Sequence, residues 1–307
     1  MRITHGILLC LGMILMRNAE AQVTVQKVDY QGWTGAYRMA NKQVELVFVP
    51  QIGRVMRYGY VGEANLLWEN PALLGKTTAF NPPPTDWTNY GGDKLWPAPQ
   101  KVWGWPPDPV MDSAPQKVTL TDDKRLKIEG AVSPKHNLSF VRTITLEPQG
   151  TGVTFENVLV NHDKKAAQWA VWQVTQVNAP DRLRMPLNPK GAFKKGYYVF
   201  QGSEPVKDKI QVLTDEVQLT RDSMKSAKIG GDSPLGWLTA DKGAVRFEIS
   251  SKRQVGKTYA DDGCSLEIYT NPDPLPYIEL ELLSPLTTIK PGQTLSMTTK
   301  WFLKKLR

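Results

Sequence analysis

Alternation of apolar and polar residues is the feature that most constrains this chain. "QVELVFVP" (43–50), "KVTLTDDKRLKIEGAV" (117–132), "LSFVRTITLEP" (138–148) and "GVTFENVLVNH" (152–162) each repeat with a period of two. "AVRFEISS", "SLEIYTN" and "YIELELLSP" carry the pattern close to the last residue. That period puts alternate side chains on opposite faces of a strand, and the Gly, Pro, Asn and Asp between the runs mark turns. "TDDK" and "NHDKKA" are read as hairpin connections. No helical period lasts longer than two turns; "NLLWENPALLG" holds one helical turn at most, and "LTRDSMKSAKIG" is ambiguous. With no internal repeat and no break in composition, the expected fold is all-β, one antiparallel sandwich or barrel.

The N-terminus follows a different grammar. Arg2, the apolar run Ile7 to Met16 and the small residues Ala19 and Ala21 are the parts of a secretory signal peptide, with cleavage expected after Ala21. The run is too short to span a bilayer. The expected organisation is a signal peptide over 1–21 and a single domain over 22–307, exported to the periplasm or outside the cell, with no stable membrane insertion. Cleavage would remove Cys10 and leave Cys264 alone, so the core and not a disulfide must hold the fold. Cys264 is expected to be a packed small side chain.

The net charge is +8, and removing Arg2, Arg17 and Glu20 leaves +7. The positive charges are scattered in pairs such as Lys164-Lys165 and Lys304-Lys305, which argues against nucleic acid as a partner. His136 and His162 have no neighbours at metal spacing, "YADDGCSLE" lacks the spacing of a calcium loop, and no serine elbow, P-loop or dinucleotide fingerprint is present. Neither a metal nor a cofactor is expected.

Three stretches remain that could carry chemistry. "NYGGDKLWPAPQKVWGWPPDP" (89–109) is read as a long ordered loop. Four of the ten tryptophans fall between Trp87 and Trp105, and eight of the 23 prolines between Pro82 and Pro109. Prolines lower the entropy lost on ordering, and indoles offer flat apolar faces with one N–H donor each. Trp96 and Trp103, with Asn89, Tyr90, Asp93 and Lys94 beside them, suit a pyranose ring, whose C–H patches are rimmed by hydroxyls. In "PYIELELLSPL", Glu279 and Glu281 share one strand face about 7 Å apart. On an outer face they are merely solvated; in a concave one they accept hydroxyls, or one acts as a general base. In "LSFVRTITL", Arg142 interrupts an apolar face, so it either pairs with a buried carboxylate or points at a ligand.

Together, "IGRVMRYGYVGEANLLWENP", the tryptophan-rich stretch and "DDGCSLEIYTNPDPLPYIELELLSPLTTIKPGQTLSMTTKWFL" resemble the DUF4380 family of the galactose mutarotase-like superfamily. The resemblance implies a β-supersandwich whose concave face binds carbohydrate. Aldose 1-epimerases of that superfamily place a base glutamate on a late strand before a Pro and a "PG" turn; Glu281, Pro285 and Pro291-Gly292 are similar to that arrangement. Where those enzymes have a His beside Gly-Gly, this chain has Tyr90 before Gly91-Gly92. Where they have a second, acid His, "WAVWQVTQV" offers Trp172, Gln173 and Thr175. The function implied is an exported protein binding a neutral or acidic mono- or oligosaccharide. The alternative is an aldose 1-epimerase-like or lyase-like enzyme with Glu281 as base and Lys94 or a tyrosine as acid.

Overall fold

The alternating runs become strands, and what sorts them into sheets is the apolar face each must cover. The computed structural model describes residues 22–80 and 84–307, so the proposed leader over 1–21 lies outside the described residues. Its 21 strands form two antiparallel sheets of eleven and ten. In the first, a meander from Thr24–Tyr30 through Arg54–Tyr60 leads to Asp93–Ala98. There follow Ala167–Asn178, Tyr277–Leu283, Leu266–Thr270, Ala227–Gly231 and Tyr198–Val199. The second sheet places Thr294–Lys305 and Val153–Asn161 at its middle, beside Leu138–Leu146.

The sheets pack face to face. From the first come Leu266, Ile268, Ile278, Leu280 and Leu282; from the second, Phe155, Phe247, Trp301 and Leu303. Trp301 is fully buried and its ring meets Phe155, Tyr58 and Phe247 at 4.5–5.3 Å. The hairpin read at 121–124 joins two paired strands, whereas 161–166, also read as a hairpin, carries the chain from the second sheet to the first, because Val153–Asn161 and Ala167–Asn178 pair with other strands. Residues 71–73 form the single helical turn seen in "NLLWENPALLG".

One element departs from the sequence reading. The tryptophan-rich stretch is not a loop throughout: Asp93–Ala98 is a buried strand, paired along its length with the Trp172 strand. Pro97 is tolerated because the strand's other edge meets Arg54–Tyr60 at one bridge only, Val55↔Asp93, leaving little ladder for a proline to break. Gly91 and Gly92 deliver the chain into this strand at φ 94° and 67°. A Cβ would come within 2.2 Å of the Trp68 carbonyl at Gly91 and 2.4 Å of the Val55 carbonyl at Gly92. The glycines serve close packing of backbone on backbone.

Candidate saccharide site on the outer face of the first sheet

Strand parity builds the site. On the face turned away from the second sheet, the Asp93–Ala98 strand presents Lys94 and Trp96, and Ala167–Asn178 presents Trp172 and Gln176. Cross-strand register then sets Glu281 opposite Glu267 and Glu279 opposite Tyr269, with Lys228 opposite Tyr269 on the next strand. A cavity of about 390 Å³ opens over these residues. Trp87, Trp96, Trp105 and Trp172 wall it, with Tyr269, Tyr277, Asn271 and Gln100, and Lys228 and Glu279 supply its charges. The volume lies at the small end of ligand cavities, which run from about 300 to 1,000 Å³.

The indoles form an edge-to-face chain, Trp105 on Trp87 at 5.1 Å, Trp87 on Trp96 at 5.9 Å and Trp96 on Trp172 at 5.3 Å. The N–H groups of Trp96 and Trp172 fix two of them from behind, while that of Trp87 is buried without a partner. Trp96 donates to Asp112 at 2.8 Å, and Asp112 is in turn ion-paired with buried Arg54 at 2.8 Å. Trp172 donates to Glu281 at 2.8 Å. Trp105, at the rim, is 58% exposed, which leaves most of its ring free to stack on a ligand.

Two charged groups lie beneath. Lys94 Nζ reaches Glu279 Oε1 at 3.3 Å and stands 4.6 Å over the Trp96 ring. Burial pushes this ammonium below the ordinary lysine value, against the pull of Glu279. Only one of its three donors has a hydrogen-bond partner. Glu279 Oε1 also accepts from Gln176 at 2.9 Å, and Oε2 is left for a ligand. In the second group Lys228 Nζ bridges Glu267 at 2.6 Å and Glu281 at 3.0 Å, over the Trp172 ring at 5.1 Å. Both carboxyls are fully buried, and both Glu267 oxygens and Glu281 Oε1 lack a hydrogen-bond partner. Burial pushes both up, helped by the charge of Glu281 on Glu267 and of Glu279 on Glu281, Glu267 furthest. Burial alone would lower the Lys228 ammonium, yet the two carboxylates hold it above its ordinary value. The cluster is neutral when one of the two carboxyls keeps its proton, the arrangement least costly to bury.

The residues singled out from sequence are therefore divided. Lys94, Trp96, Trp172, Glu279 and Glu281 meet at this face, although neither Lys94, covered by the Trp96 ring, nor Glu281, sealed beneath Trp172 and Lys228, lines the cavity. Asp93, Gln173 and Arg142 lie on the opposite face of the sheet. Asp93 ion-pairs with Arg142 at 2.5 Å and accepts from Gln173 at 2.7 Å and Thr175 at 2.6 Å, all buried between the sheets. Arg142 thus takes the buried-carboxylate alternative. Tyr90 is buried against Trp33 in a small separate cluster, its hydroxyl 2.7 Å from Thr78. The Asn89 carbonyl accepts from Asn70 at 2.9 Å, and its side-chain oxygen accepts from the Gly91 N–H. Trp103 donates to the Pro97 carbonyl at 2.7 Å and backs Trp96 without lining the cavity. None of these residues lines the cavity.

Sequence reasoning passed over Glu267, Tyr269, Lys228, Gln176 and Trp87, whereas Trp105, one of the indoles it read as a flat apolar face, does line the cavity. Glu267 was detectable, since "SLEIYTN" alternates just as the Glu279 strand does. Neither described histidine is at the cavity: His162 bonds Ser139 at 2.9 Å and His136 packs on Trp169. Cys264 is fully buried, and burial pushes its thiol up. Among the described residues no cluster of three or more His, Cys, Asp or Glu could hold a metal, and no helix is long and apolar enough to cross a membrane.

Solved structures share this architecture. A galactose mutarotase-like protein from Lactobacillus casei ATCC 334 superposes with a TM-score of 0.58 at 10% identity, covering 92% of this chain and 100% of that one. A galactose mutarotase related enzyme from Lactobacillus acidophilus gives 0.53 at 9%, covering 89% and 99%. A TPR-domain containing protein from Parabacteroides distasonis ATCC 8503 gives 0.57 at 13%, covering 88% of this chain, which spans about half of that protein (47%). At these identities the likeness shows the fold, which is galactose mutarotase-like. No curated protein matches the sequence. The model of the domain of unknown function DUF4380 matches residues 36–304, and the chain belongs to that family.

Proposed function

We propose that this is an exported carbohydrate-binding protein of the galactose mutarotase-like superfamily, its saccharide held in the tryptophan-walled cavity. One observation carries the reading. Four indoles enclose about 390 Å³ above an ammonium–carboxylate pair, Lys94 and Glu279, whose remaining donors and acceptor are unspent. Stacked rings take the C–H faces of a sugar, and such a pair takes adjacent hydroxyls, one as donor and one as acceptor. Export rests on the leader grammar of residues 1–21. The test is a titration of intrinsic tryptophan fluorescence with neutral and uronic sugars. A saturable change is expected for at least one sugar, weakened about tenfold by Trp105→Ala. Because Trp105 is mostly exposed, that variant should keep its stability to within about 0.5 kcal/mol. A flat titration with every sugar would remove the reading.

A second reading, an aldose 1-epimerase-like or lyase-like enzyme with Glu281 as base, draws on the raised carboxyl pair of Glu267 and Glu281. A base must come within hydrogen-bond reach of the proton it takes. Glu281 reaches the sugar only if Trp172 and Lys228 part. Polarimetry of fresh α-galactose, with wild type and Glu281→Gln, decides: a wild-type rate equal to buffer excludes mutarotation.

A further inference from the structure

A second cavity, of about 560 Å³, adjoins the first. The wall between them is one turn of chain: Gln100 lines the tryptophan cavity while its neighbours Pro99 and Lys101 line the other. The opposite wall is shared as well. Asp261 lines the second cavity and lies within electrostatic reach of both Lys101 and Lys228, and Lys228 lines the first. Tyr259 and Leu286 give the second cavity an apolar side, and Lys101, Lys257, Asp261 and Asp262 give it charges.

No ammonium is left unmatched in either cavity. In the first, Lys94 is matched by Glu279, and Lys228 by Glu267 and Glu281. In the second, two lysines face two aspartates. A site evolved for a polyanion would leave ammonium groups unmatched, because each uncompensated carboxylate beside them repels the ligand. Matched pairs instead supply alternating donors and acceptors, which is what hydroxyls need.

From this geometry we infer that the two cavities are successive subsites of one cleft, and that the ligand is a neutral saccharide of at least two units. The inference rests on the saccharide reading of the first cavity and goes beyond it in length and charge. The tryptophan cavity takes one unit, and the pocket of Lys101, Tyr259 and Asp261 takes the next.

The experiment is a fluorescence titration of the full chain with galactose, glucose and mannose, then with lactose, cellobiose, maltose and mannobiose, and with digalacturonate. At least one neutral disaccharide should bind ten times or more tightly than its own monosaccharide, and tighter than digalacturonate. The double variant Lys101→Ala/Asp261→Asn should abolish that gain and leave monosaccharide affinity within twofold. Lys101 is exposed, and Asp261 has φ 49°, a conformation asparagine accepts, so both changes should leave the fold intact. Trp105→Ala should weaken mono- and disaccharides by equal factors. Equal affinities for mono- and disaccharides, a gain that survives the double variant, or a preference for digalacturonate would overturn the inference while leaving saccharide binding in place. Silence toward every sugar would remove both.

Discussion

Asp93 and Lys94 are adjacent in the chain, and each sits in a buried ion pair, yet the two pairs are built to opposite ends. Asp93 faces the second sheet. It holds Arg142 at 2.5 Å and takes two further hydrogen bonds from Gln173 and Thr175, so one oxygen is shared by two donors and the other meets the guanidinium. Lys94 faces the cleft. Its one hydrogen-bond partner, Glu279, stands at a long 3.3 Å and lines the cavity, while the ammonium itself lies 1% exposed beneath the Trp96 ring. Arg142 Nε and Nη2 find no acceptor, but its pair with Asp93 is sealed between the sheets, so it can only tie them together. A pair with donors to spare, burying a charge at some cost, is what a ligand would complete.

The largest effect that tests this contrast is on stability. Arg142→Met leaves the Asp93 charge fully buried without its counter-ion, and should lower the unfolding free energy by about 3–5 kcal/mol. Urea unfolding measures it. The folded fraction should bind sugar as the wild type does, because no atom of Arg142 lines either cavity. Loss of sugar affinity in a well-folded Arg142→Met protein would put the inner pair in the site and erase the distinction.

Lys94→Met should do the reverse. The ammonium is 1% exposed and poorly partnered, methionine fills similar space, and Glu279 keeps both Gln176 and the water of the cleft. Stability should move by less than about 1 kcal/mol, whereas sugar affinity should fall about 10- to 100-fold, the loss of a hydrogen bond to a charged donor. Titration calorimetry and urea unfolding on the same preparation give both numbers. A large destabilisation with unchanged affinity would make Lys94 a structural residue like Asp93.

That contrast was only half legible in the sequence. The long alternating strands identified themselves, and with them the shared face of Glu279 and Glu281. Asp93–Ala98 did not, because two glycines precede it and prolines occupy two of the next positions, the punctuation of a loop. Without knowing it to be a strand, no argument from parity could separate Asp93 from Lys94 or Trp96, and all were assigned to one ligand wall. Lys228 was hidden for a related reason. Its strand is five residues long, contains Gly230 and Gly231, and follows an irregular stretch with no clear period. Its role depends on pairing with strands some 40 to 50 residues further along, which local pattern cannot supply. Arg142 was legible as an oddity and its partner was not, since inter-sheet contacts leave no trace in spacing.

The smallest of the expected effects concerns the raised carboxyls of Glu267 and Glu281, and it also belongs to the cleft side of the strands. In the unfolded chain the Glu267 and Glu281 carboxyls ionise near pH 4.3, at about the ordinary glutamate value. In the folded protein both are raised, Glu267 furthest, so over the interval above about pH 4.3 the native state holds a proton that the unfolded state has lost. Unfolding then releases that proton, and stability falls as pH rises through the interval, by at most about 1.4 kcal/mol per pH unit. Glu267→Gln replaces one carboxyl with an amide that has no proton to lose at any pH in this range. Its stability minus that of the wild type should be flat below about pH 4.3 and climb above it, measured by urea unfolding between pH 4 and 8. Taking the difference cancels the lowered carboxyls of Glu45 and Asp241, whose contribution runs the other way and lies at lower pH. A difference that stays constant across the range would mean that Glu267 and Glu281 are both ionised at neutral pH. The first cavity would then carry a net negative charge, and the case for a neutral ligand would give way to one for a cationic ligand.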